Sequence, residues 1–417
     1  MTSPAGRIVV VGAGMVGVCC AMWLKRSGHD VVLIDRLEPG NGATYGNACA
    51  FATYACVPIN SPRIPLQVPG LLFKRDTPLW IDWSEILSMT PWLLRFLANC
   101  RAGKVARIAA NLGTLLSHAE AGAAPIFKGC DVEPLLSRKG CLYLYGTEKD
   151  FEAAKAEIRT RKQQGVKFDL LDRSGALRLE PNLSADFFAG LHFTEAFQYL
   201  DPRAVAQKIA AGFVAAGGQI RKANVKRIRQ MNDRSLRLET DGEPVFCEQV
   251  VISAGAWSRD LLDGLTEDLP LGTERGYHVN FKGQQSLLNR PVGWASGGFY
   301  MTPMSEGLRV AGTVELGGLS ERKNLAALNY LARSARRVLS SLPEQPDDTW
   351  LGFRPSMPDA LPMIGRSVRT PEVIFAFGHQ HIGVTLAGIT GKIVASIADG
   401  APPPFDISPF SPQRFGA

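Results

Sequence analysis

Three glycines near the start of the chain constrain its fold more than any other feature. Gly12, Gly14 and Gly17 form a G-x-G-x-x-G pattern within RIVVVGAGMVGVCCAMWLKRSGHDVVLIDR. An apolar strand precedes the pattern, a helix follows it to about Arg26, and a second strand begins near Val31, which predicts a βαβ unit. In such a unit Gly12 makes the turn, Gly14 admits a pyrophosphate, and Gly17 lets the helix pack closely on the strand.

The acidic residue at the end of the second strand indicates the class of ligand. Asp35 stands eighteen positions after Gly17, where a carboxylate can accept hydrogen bonds from a ribose diol. A carboxylate there disfavours a 2′-phosphate, and the helix N-terminus offers N–H groups to the pyrophosphate. The pattern therefore predicts a dinucleotide site, and by itself it leaves NAD and FAD as alternatives.

The composition indicates a folded globular chain and decides little else. The 417 residues are 46% hydrophobic and 20% charged, which is enough for two packed domains. The net charge of +7 favours anionic partners in general. The apolar run from Ile8 to Leu24 resembles a signal peptide or a membrane span, but its glycine spacing and the position of Lys25 and Arg26 after the run oppose both interpretations.

A basic cluster, RKANVKRIRQMNDRSLRLE from Arg221 to Glu239, has two interpretations. It is either an RNA-binding stripe or the solvated face of a sheet. The alternation in SLRLE places Leu236 and Leu238 on one face of a strand and the charged residues in water. We favour the sheet face and predict no nucleic-acid partner.

The cysteines and histidines do not indicate a metal site. The eight cysteines contain no C-x-x-C pair and show no zinc-like spacing, so we predict neither a disulfide framework nor a structural metal. His379 and His381 form an H-x-H pair, but no carboxylate or cysteine stands near them in sequence. We therefore predict no metal. The cysteine usage fits a reducing, cytoplasmic compartment.

The segment after Asp35 favours FAD over NAD. RLEPGNGATYGNACAFATY continues as a loop rich in glycine, alanine and threonine, where a nicotinamide dehydrogenase usually enters another helix. This loop, with Thr44, Asn47 and Ala48, resembles the FAD-dependent D-amino-acid dehydrogenase and oxidase superfamily, most closely its dehydrogenase branch. The segments PLQVPGLLFKRDTPLWIDW and PWLLRFLANCR are similar to that branch as well. The resemblance covers nearly the whole chain and implies non-covalent FAD.

The resemblance also implies which residues contact the cofactor. DPRAVAQKIAAGFVAAGGQI is similar to the family's Asp-Pro-capped helix, and CEQVVISAGAWSRDLL to its second nucleotide-side strand and turn. FAFGHQHIGVTLAGITGKIVASIADG is similar to the strand and helix whose positive N-terminus faces the flavin and stabilises its reduced anion. With the glycine pattern, the predicted cofactor-binding residues are Gly12, Ala13, Gly14, Met15, Val16, Gly17, Asp35, Arg36, Thr44, Asn47, Ala48, Val225, Ala254, Gly255, Ile382, Gly383, Val384 and Thr385.

One arginine in GFRPSMPDALPMIG is the strongest candidate for substrate binding. The family pattern G-x-R-P-x-x-P-D-x-x-P-x-I-G is matched from Gly352 to Gly365, with Arg354 as its arginine. A planar guanidinium holds a carboxylate by two parallel hydrogen bonds and so sets the orientation of the α-C–H bond toward the flavin. The alternative is a structural arginine that pins the proline-rich turn.

Four further residues are predicted near the substrate: His379, Tyr277, Tyr300 and Tyr54. The resemblance places the histidine beside the substrate, and the tyrosines offer hydroxyls to its carboxylate or amine or, for Tyr54, a wall or lid. Each tyrosine has a core-packing alternative, because a tyrosine on an apolar strand is more often a core residue than a ligand contact. Arg275 and Arg309 are alternative carboxylate partners, although we expect both to face solvent.

The resemblance implies an amino-acid oxidoreductase. The implied substrate is a D-amino acid or a D-proline-like imino acid, oxidised by hydride transfer from the α-carbon to flavin N5. Hydrolysis of the imino acid then gives a keto acid and ammonia, and quinone or another acceptor takes the electrons. The alternatives are oxidation of an N-methylated or secondary amine or a 2-hydroxy acid and, more remotely, a flavin-bound RNA-modifying or scaffold protein.

The flavin loop departs from the dehydrogenase pattern at one point. Where that branch commonly continues N-A-G-Q, this chain has Cys49, Ala50 and Phe51. The change replaces a small polar surface with a bulkier apolar one and leaves the preferred substrate open. A covalent flavin through Cys49 or Cys56 is an alternative that we disfavour, because family members with tethered flavins use other positions.

These features predict an α/β (α+β) fold of the D-amino-acid oxidase and glutathione-reductase type, with a Rossmann-like FAD domain and a discontinuous antiparallel-sheet substrate domain. The predicted FAD domain comprises residues 1–58, 147–182, 201–265 and 345–400, the substrate domain residues 59–146, 183–200 and 266–344, and a C-terminal tail residues 401–417. PLWIDWSEILSMTPWLLRFL carries Trp80, Trp83 and Trp92, for which we favour core packing over a peripheral contact with the inner face of the membrane.

Overall fold

The protein is built around two large sheets and the helices that cover them. The computed structural model describes residues 6–64, 77–184, 187–262 and 264–416. Residues 65–76, which are the PLQVPGLLFKRD part of a segment quoted above, therefore lie outside the described residues.

The strands, numbered in chain order, are β1 (Ile8–Val11), β2 (Val31–Asp35), β3 (Ala50–Phe51), β4 (Leu79–Ile81), β5 (Leu136–Ser137), β6 (Cys141–Tyr145), β7 (Asp169–Asp172), β8 (Ala189–Phe193), β9 (Phe197–Tyr199), β10 (Gln219–Lys222), β11 (Val225–Gln230), β12 (Leu236–Thr240), β13 (Val245–Cys247), β14 (Gln249–Ile252), β15 (Gly272–Lys282), β16 (Val292–Trp294), β17 (Phe299–Pro303), β18 (Gly307–Leu316), β19 (Asp348–Ser356), β20 (Met363–Arg366) and β21 (Val373–Phe377). The α-helices are α1 (Met15–Arg26), α2 (Ile86–Ala98), α3 (Ala102–Ser117), α4 (Ala119–Gly129), α5 (Glu148–Gln163), α6 (Arg173–Leu179), α7 (Pro202–Ala215), α8 (Leu325–Val338) and α9 (Gly383–Ala398).

The glycine pattern lies in a mainly parallel sheet, as predicted. Among the described residues this sheet has six strands in the order β10-β2-β1-β14-β21-β20, and only the β20–β21 pair is antiparallel. Ile8 and Val10 of β1 belong to one hydrophobic core, and Val9 and Val11 to the core on the opposite face. Both faces of β1 are covered, which is why the strand is a continuous apolar run.

The second large sheet is mainly antiparallel and provides the roof of the molecule. Its order is β19-β15-β18-β17-β16-β6-β8-β7, with β4 beside β18. The three long strands β15, β18 and β19 lie together at one end of this order. α8 packs its buried face, which includes Leu328, Leu331 and Ala335, against the side of this sheet that carries Val279 and Phe281. The predicted two-part α/β architecture is confirmed.

Two segments that we assigned to the FAD domain contribute strands to the roof sheet. β7, within 147–182, pairs with β8, and β19, within 345–400, pairs with β15. Local sequence does not indicate which distant strands will pair, so the sheet to which β7 and β19 belong differs from the one that we assigned to them. The boundaries themselves stay a prediction.

The C-terminal segment is packed on the proline-rich turn. Phe410 is buried, and Arg414 donates to the carboxylate of Asp359 at 2.7 Å and to the carbonyl oxygen of Leu361 at 2.8 Å. The aspartate of the family pattern therefore has a structural partner about fifty residues later in the chain, at position 414.

The tryptophans near α2 occupy different environments. Trp92 is buried and donates from Nε1 to the carbonyl oxygen of Ser356 at 2.9 Å, so core packing is confirmed there. Trp83, which lies before α2, is 62% exposed, so core packing is wrong for it. Leu87 and Leu94, on the outer face of α2, are exposed as well. No described helix combines the length and the hydropathy needed to cross a bilayer.

The basic cluster is a solvated sheet face, as predicted. Leu236 and Leu238 of β12 are fully buried. Exposed cations of the cluster pair with neighbouring carboxylates, as in Arg229 with Glu239 at 2.9 Å. The alternation of β12 thus directs its apolar side chains inward and its charges into water.

Candidate active site

A cavity of about 840 Å³ extends from the glycine turn of the parallel sheet to β15 and β19 of the roof sheet. A volume of this size is typical of cofactor and ligand sites. Sixteen of the predicted cofactor residues line it: Gly12, Ala13, Gly14, Met15, Val16, Asp35, Arg36, Thr44, Asn47, Ala48, Val225, Ala254, Gly255, Ile382, Gly383 and Val384. The cavity thus brings together segments from the start, the middle and the end of the chain.

Gly17 and Thr385, the other two predicted cofactor residues, lie outside the lining. A Cβ on Gly17 would stand 1.7 Å from the carbonyl oxygen of Gly12, so this glycine allows α1 to pack on the turn. Thr385 Oγ1 accepts a hydrogen bond from the N–H of Ala52 at 3.0 Å and so ties the first turn of α9 to the flavin loop. Both residues shape the cavity from behind.

The nucleotide end of the cavity has a carboxylate and an aromatic wall. Asp35 accepts hydrogen bonds from the N–H groups of Ala13 at 2.5 Å and Leu37 at 2.8 Å. Arg36 lies over the ring of Trp257 at 4.4 Å from its centroid. Trp257 also lines the cavity and was missed by sequence reasoning. Its position directly after the S-A-G-A turn was the available signal.

The flavin loop is held by side chains of the roof sheet. Thr44 Oγ1 accepts from the N–H of Met15 at 2.9 Å and joins the loop to α1. Arg309 of β18 donates to the carbonyl oxygens of Tyr45 at 2.6 Å and Asn47 at 3.1 Å. Arg309 is 5% exposed, so the expectation that it faces solvent is wrong. Its charge is satisfied by loop carbonyls that only the folded chain brings near.

The cysteines of the loop are turned away from the cavity. Cys49 and Cys56 are buried and do not belong to its lining, whereas Ala50 does. Burial raises the pKa of the Cys49 thiol to about 11, which keeps it protonated and a poor nucleophile. Phe51 stacks on Phe197 with ring centroids 4.2 Å apart. The departure from N-A-G-Q therefore fills the core behind the loop, and the bulkier apolar surface that we expected does not face the cavity.

The first turn of α9 points its free N–H groups at the cavity. Its N-cap residue, Ile382, makes no side-chain capping bond, so the positive end of the helix is available to an anion or an electron-rich group. His379 is buried, its Nε2 lies 2.9 Å from Thr390 Oγ1, and burial lowers its pKa to about 3. Desolvation and then the nearby charge of Arg354 lower the pKa of His381 to about 4. Both imidazoles are neutral at pH 7.

Arg354 lies on β19 and faces the cavity. Its Nη1 donates to the carbonyl oxygen of Thr313 at 2.8 Å. Its guanidinium crosses Gly276 of β15 so closely that a Cβ there would be 2.4 Å from Cζ. Thr313 has a φ of 58°, a conformation that non-glycine residues seldom adopt and that aims this carbonyl at the arginine. Carbonyl groups of β18 and the glycine at position 276 thus set the position of the cation.

A buried carboxylic acid stands opposite Arg354. Glu274 is paired with Arg354 across β15 and β19, is 4% exposed and lines the cavity. Burial raises the pKa of Glu274, and Arg354 and a hydrogen bond from Ser356 oppose that rise. Sequence reasoning missed Glu274, although an acidic residue within the strand GTERGYHVNF was a signal.

The predicted tyrosines are used in two different ways. Tyr54 and Tyr300 line the cavity, and their hydroxyl oxygens are 3.3 Å apart. The hydroxyl of Tyr277 instead donates to the carboxylate of Glu315 and accepts from the N–H of Asn324. Tyr277 therefore lines the cavity, but its hydroxyl is bonded to Glu315 and Asn324.

Arg275 belongs to that second polar cluster. It is 2% exposed and pairs with Asp82 and Glu315, each at 3.0 Å. The expectation that Arg275 faces solvent is wrong, because two carboxylates from distant segments neutralise it inside the protein. Among the described residues, no group of three or more His, Cys, Asp or Glu side chains is arranged to hold a metal ion.

The fold and the cavity define a class of protein, an oxidoreductase in which a dinucleotide site opens into a cavity lined by a guanidinium group. The family model described as FAD dependent oxidoreductase, DAO, matches residues 7–397, and the chain belongs to this family. The glycine turn, Asp35 and the free N-terminus of α9 fit FAD, which is the cofactor of this enzyme.

Similar proteins cover nearly the full chain. A D-amino-acid oxidase from Bradyrhizobium diazoefficiens is 32% identical over 99% of this chain and 100% of its own length. A D-amino acid dehydrogenase from Rhizobium rhizogenes is 25% identical over 98% and 100%. Glycine oxidase from Geobacillus kaustophilus has a similar structure, with a TM-score of 0.75, 22% identity and coverage of 97% and 98%. The chain is thus an FAD-dependent oxidoreductase of an amino-acid-oxidising family.

Proposed function

We propose that this protein oxidises a D-amino acid at its α-carbon. The observation that carries the proposal is Arg354, a guanidinium at the cavity wall whose Nη1 is held by the Thr313 carbonyl. The names of the similar full-length proteins, a D-amino-acid oxidase and a D-amino acid dehydrogenase, support the D configuration.

In this proposal Arg354 grips the substrate carboxylate with two parallel hydrogen bonds. Such a grip sets both position and orientation, so the α-C–H bond is held toward the flavin in a near-attack geometry. The hydroxyls of Tyr54 and Tyr300, 3.3 Å apart, offer polar contacts at the same wall. When bound, FAD accepts the hydride that leaves the α-carbon.

His379 and Glu274 line the cavity together with Arg354. Burial lowers the pKa of His379 to about 3, so its imidazole is neutral at pH 7. Glu274, whose pKa is raised by burial, stands on the neighbouring strand and is placed to contact the substrate amine. With the carboxylate and the amine held by adjacent strands and the α-C–H bond directed at the flavin, three substituent directions are set, and only one configuration of the α-carbon fits.

Anaerobic mixing of the flavoprotein with a substrate panel tests the proposal. The panel contains matched D- and L-amino acids, D-proline, 2-hydroxy acids and N-methylated amines. We expect D-amino acids to bleach the flavin absorbance and the matched L-amino acids to leave it unchanged. Bleaching by hydroxy acids or secondary amines alone would assign the alternative substrate class, and an unreactive flavin would contradict an amino-acid oxidoreductase altogether.

We further propose that the electrons pass to a quinone at a membrane surface. The support is an exposed surface formed by Trp83, which precedes α2, and by Leu87 and Leu94 on the outer face of α2. The exposed cations Arg95 and Arg101 lie nearby in the chain. Apolar side chains next to basic ones suit peripheral binding to anionic lipid. Repeating the panel aerobically with peroxide detection, and then with a soluble quinone analogue, identifies the acceptor.

A further inference from the structure

A second arginine lines the same cavity as Arg354 and has open donors. Arg161, near the end of α5, is 8% exposed and belongs to the cavity lining. Its Nε and Nη1 atoms are buried and have no hydrogen-bond partner among the described residues. A buried guanidinium without acceptors is costly, so its presence at a cavity wall indicates an anionic ligand.

The surroundings of Arg161 neutralise it only weakly, through Glu157, which lines the same cavity. Its guanidinium carbon is 5.9 Å from the centroid of the Phe193 ring, and the hydrophobic cluster around Phe193 contains Tyr143 and Tyr300. The nearest carboxylate is Glu157, one helical turn earlier, with 3.6 Å between its Oε2 and Arg161 Nη1. That distance exceeds a hydrogen bond, and Glu157 is half exposed, so water screens the pair.

Tyrosine hydroxyls make the site more suitable for a carboxylate. Tyr143 and Tyr300 line the cavity together with Arg161, and their rings are 5.8 Å apart. Tyr300 is also paired with Ala311 on β18. The carbonyl oxygens of the next two residues of β18, Gly312 and Thr313, accept hydrogen bonds from Arg354. The strands β17 and β18 therefore connect the two arginines across one cavity wall.

We propose that Arg161 binds a second acid group of the substrate, so that the enzyme acts on acidic D-amino acids. This inference rests on the proposed function, in which Arg354 holds the α-carboxylate. An acidic side chain supplies a charged acceptor for the unpartnered donors of Arg161, and guanidinium–carboxylate hydrogen bonds are stronger than those to a neutral group. An amide side chain offers one uncharged carbonyl acceptor, and an apolar side chain offers none.

Matched acid and amide substrates test the inference. Anaerobic flavin reduction is measured with D-glutamate against D-glutamine and D-aspartate against D-asparagine. We expect kcat/KM to favour each acid over its amide by about 10- to 100-fold. In Arg161→Met we expect the ratio of kcat/KM for acid over amide to fall to about 1, and Arg161→Lys restores part of the preference. Arg159→Gln, an exposed arginine on the same helix, is the matched control and keeps the wild-type preference.

Ligand binding provides a readout that does not depend on turnover. Glutarate and pentanoate are titrated into the oxidised holoenzyme, and binding is followed through the flavin absorbance. We expect glutarate to bind at least about tenfold more tightly than pentanoate to the wild type and equally to Arg161→Met. This comparison of two ligands on the wild-type protein stands even if the variant does not fold.

The outcomes separate the inference from the proposed function. Reduction by D-amino acids with equal rates for acids and amides would overturn the acidic-substrate inference and leave the proposed function intact. A flavin that no amino acid reduces would overturn the proposed function, and with it the acidic substrate, whereas glutarate binding that depends on Arg161 would still establish the second anion site. Equal binding of glutarate and pentanoate to the wild type would remove that site.

Discussion

Gly276→Ala displaces Arg354 without altering the arginine itself. A Cβ at position 276 stands 2.4 Å from Cζ and 2.4 Å from Nη2 of Arg354, whereas ordinary contacts begin at 3.4 Å. The guanidinium must therefore retreat by about 1 Å, which breaks or lengthens its 2.8 Å bond to the Thr313 carbonyl. A misplacement of this size at a substrate clamp lowers the rate by about 100-fold, or about 2.7 kcal/mol in the barrier.

The same substitution has little effect on folding. The obstacle is the end of a flexible side chain, and alanine in a strand restricts the unfolded chain relative to glycine. We expect the free energy of unfolding to change by less than about 1 kcal/mol and the FAD content to stay at the wild-type level. Steady-state kcat/KM for a D-amino acid, flavin absorbance per protein and urea unfolding measure the three quantities.

A glycine elsewhere serves as the control. A Cβ on Gly103 of α3 meets nothing within 4 Å, so Gly103→Ala leaves kcat/KM unchanged. If Gly276→Ala retained kcat/KM within twofold of the wild type, the position of Arg354 over Gly276 would not govern catalysis, and the clamp would be refuted.

Three other predictions follow from the same structure. Arg354→Lys replaces a bidentate hydrogen-bond donor with a single ammonium group. We therefore expect KM for the amino acid to rise by at least about tenfold while the FAD content is unchanged. Unaltered steady-state constants would show that Arg354 does not bind the substrate. Burial lowers the pKa of His278 in the folded protein from 6.5 to about 3. Below pH 6.5 the unfolded chain therefore binds a proton that the folded protein does not bind. The stability that is present above pH 6.5 is lost progressively toward pH 3. Between pH 6 and pH 4 the free energy of unfolding, measured with urea, should fall more steeply in the wild type than in His278→Asn, by up to about 1.4 kcal/mol per pH unit. Equal slopes of the free energy of unfolding against pH in the two proteins would disprove the prediction. Exposed Leu87 and Leu94 predict that the double change to serine weakens cosedimentation with anionic vesicles without loss of activity, and equal sedimentation would contradict a membrane role for α2.

The cofactor half of the site was the easier half to predict. The turn at Gly12 and the carboxylate at Asp35 lie in one stretch near the start of the chain and were predicted from their spacing, and the loop at Thr44 was predicted from its resemblance to the family. All three line the cavity. A βαβ unit buries a local apolar pattern, so hydrophobic periodicity is sufficient to recognise it. The limits of the second domain stay a prediction, and local periodicity does not indicate that β7 and β19 pair with strands from distant segments.

The arginines show where local sequence ceased to be informative. Arg275 and Arg309 lie in strands in which polar and apolar residues are interspersed, and we expected both side chains to face solvent. Arg275 is buried by Asp82 and Glu315, and Arg309 by carbonyl groups of the flavin loop. In each case the partner comes from a segment far away in the chain. The free energy of a buried cation depends on whether those partners offset its desolvation.

By itself the sequence determined that the chain holds a dinucleotide on a βαβ turn and that Arg354 is the residue to examine, because glycine spacing and a proline-rich motif are properties of neighbouring residues. Only the tertiary structure decided which other side chains share the cavity. Glu274 and Arg161 reach it from β15 and α5, and neither has a local pattern that distinguishes it from a solvated charge. Burial is a property of the assembled chain, and so is the demand of a buried charge for a partner.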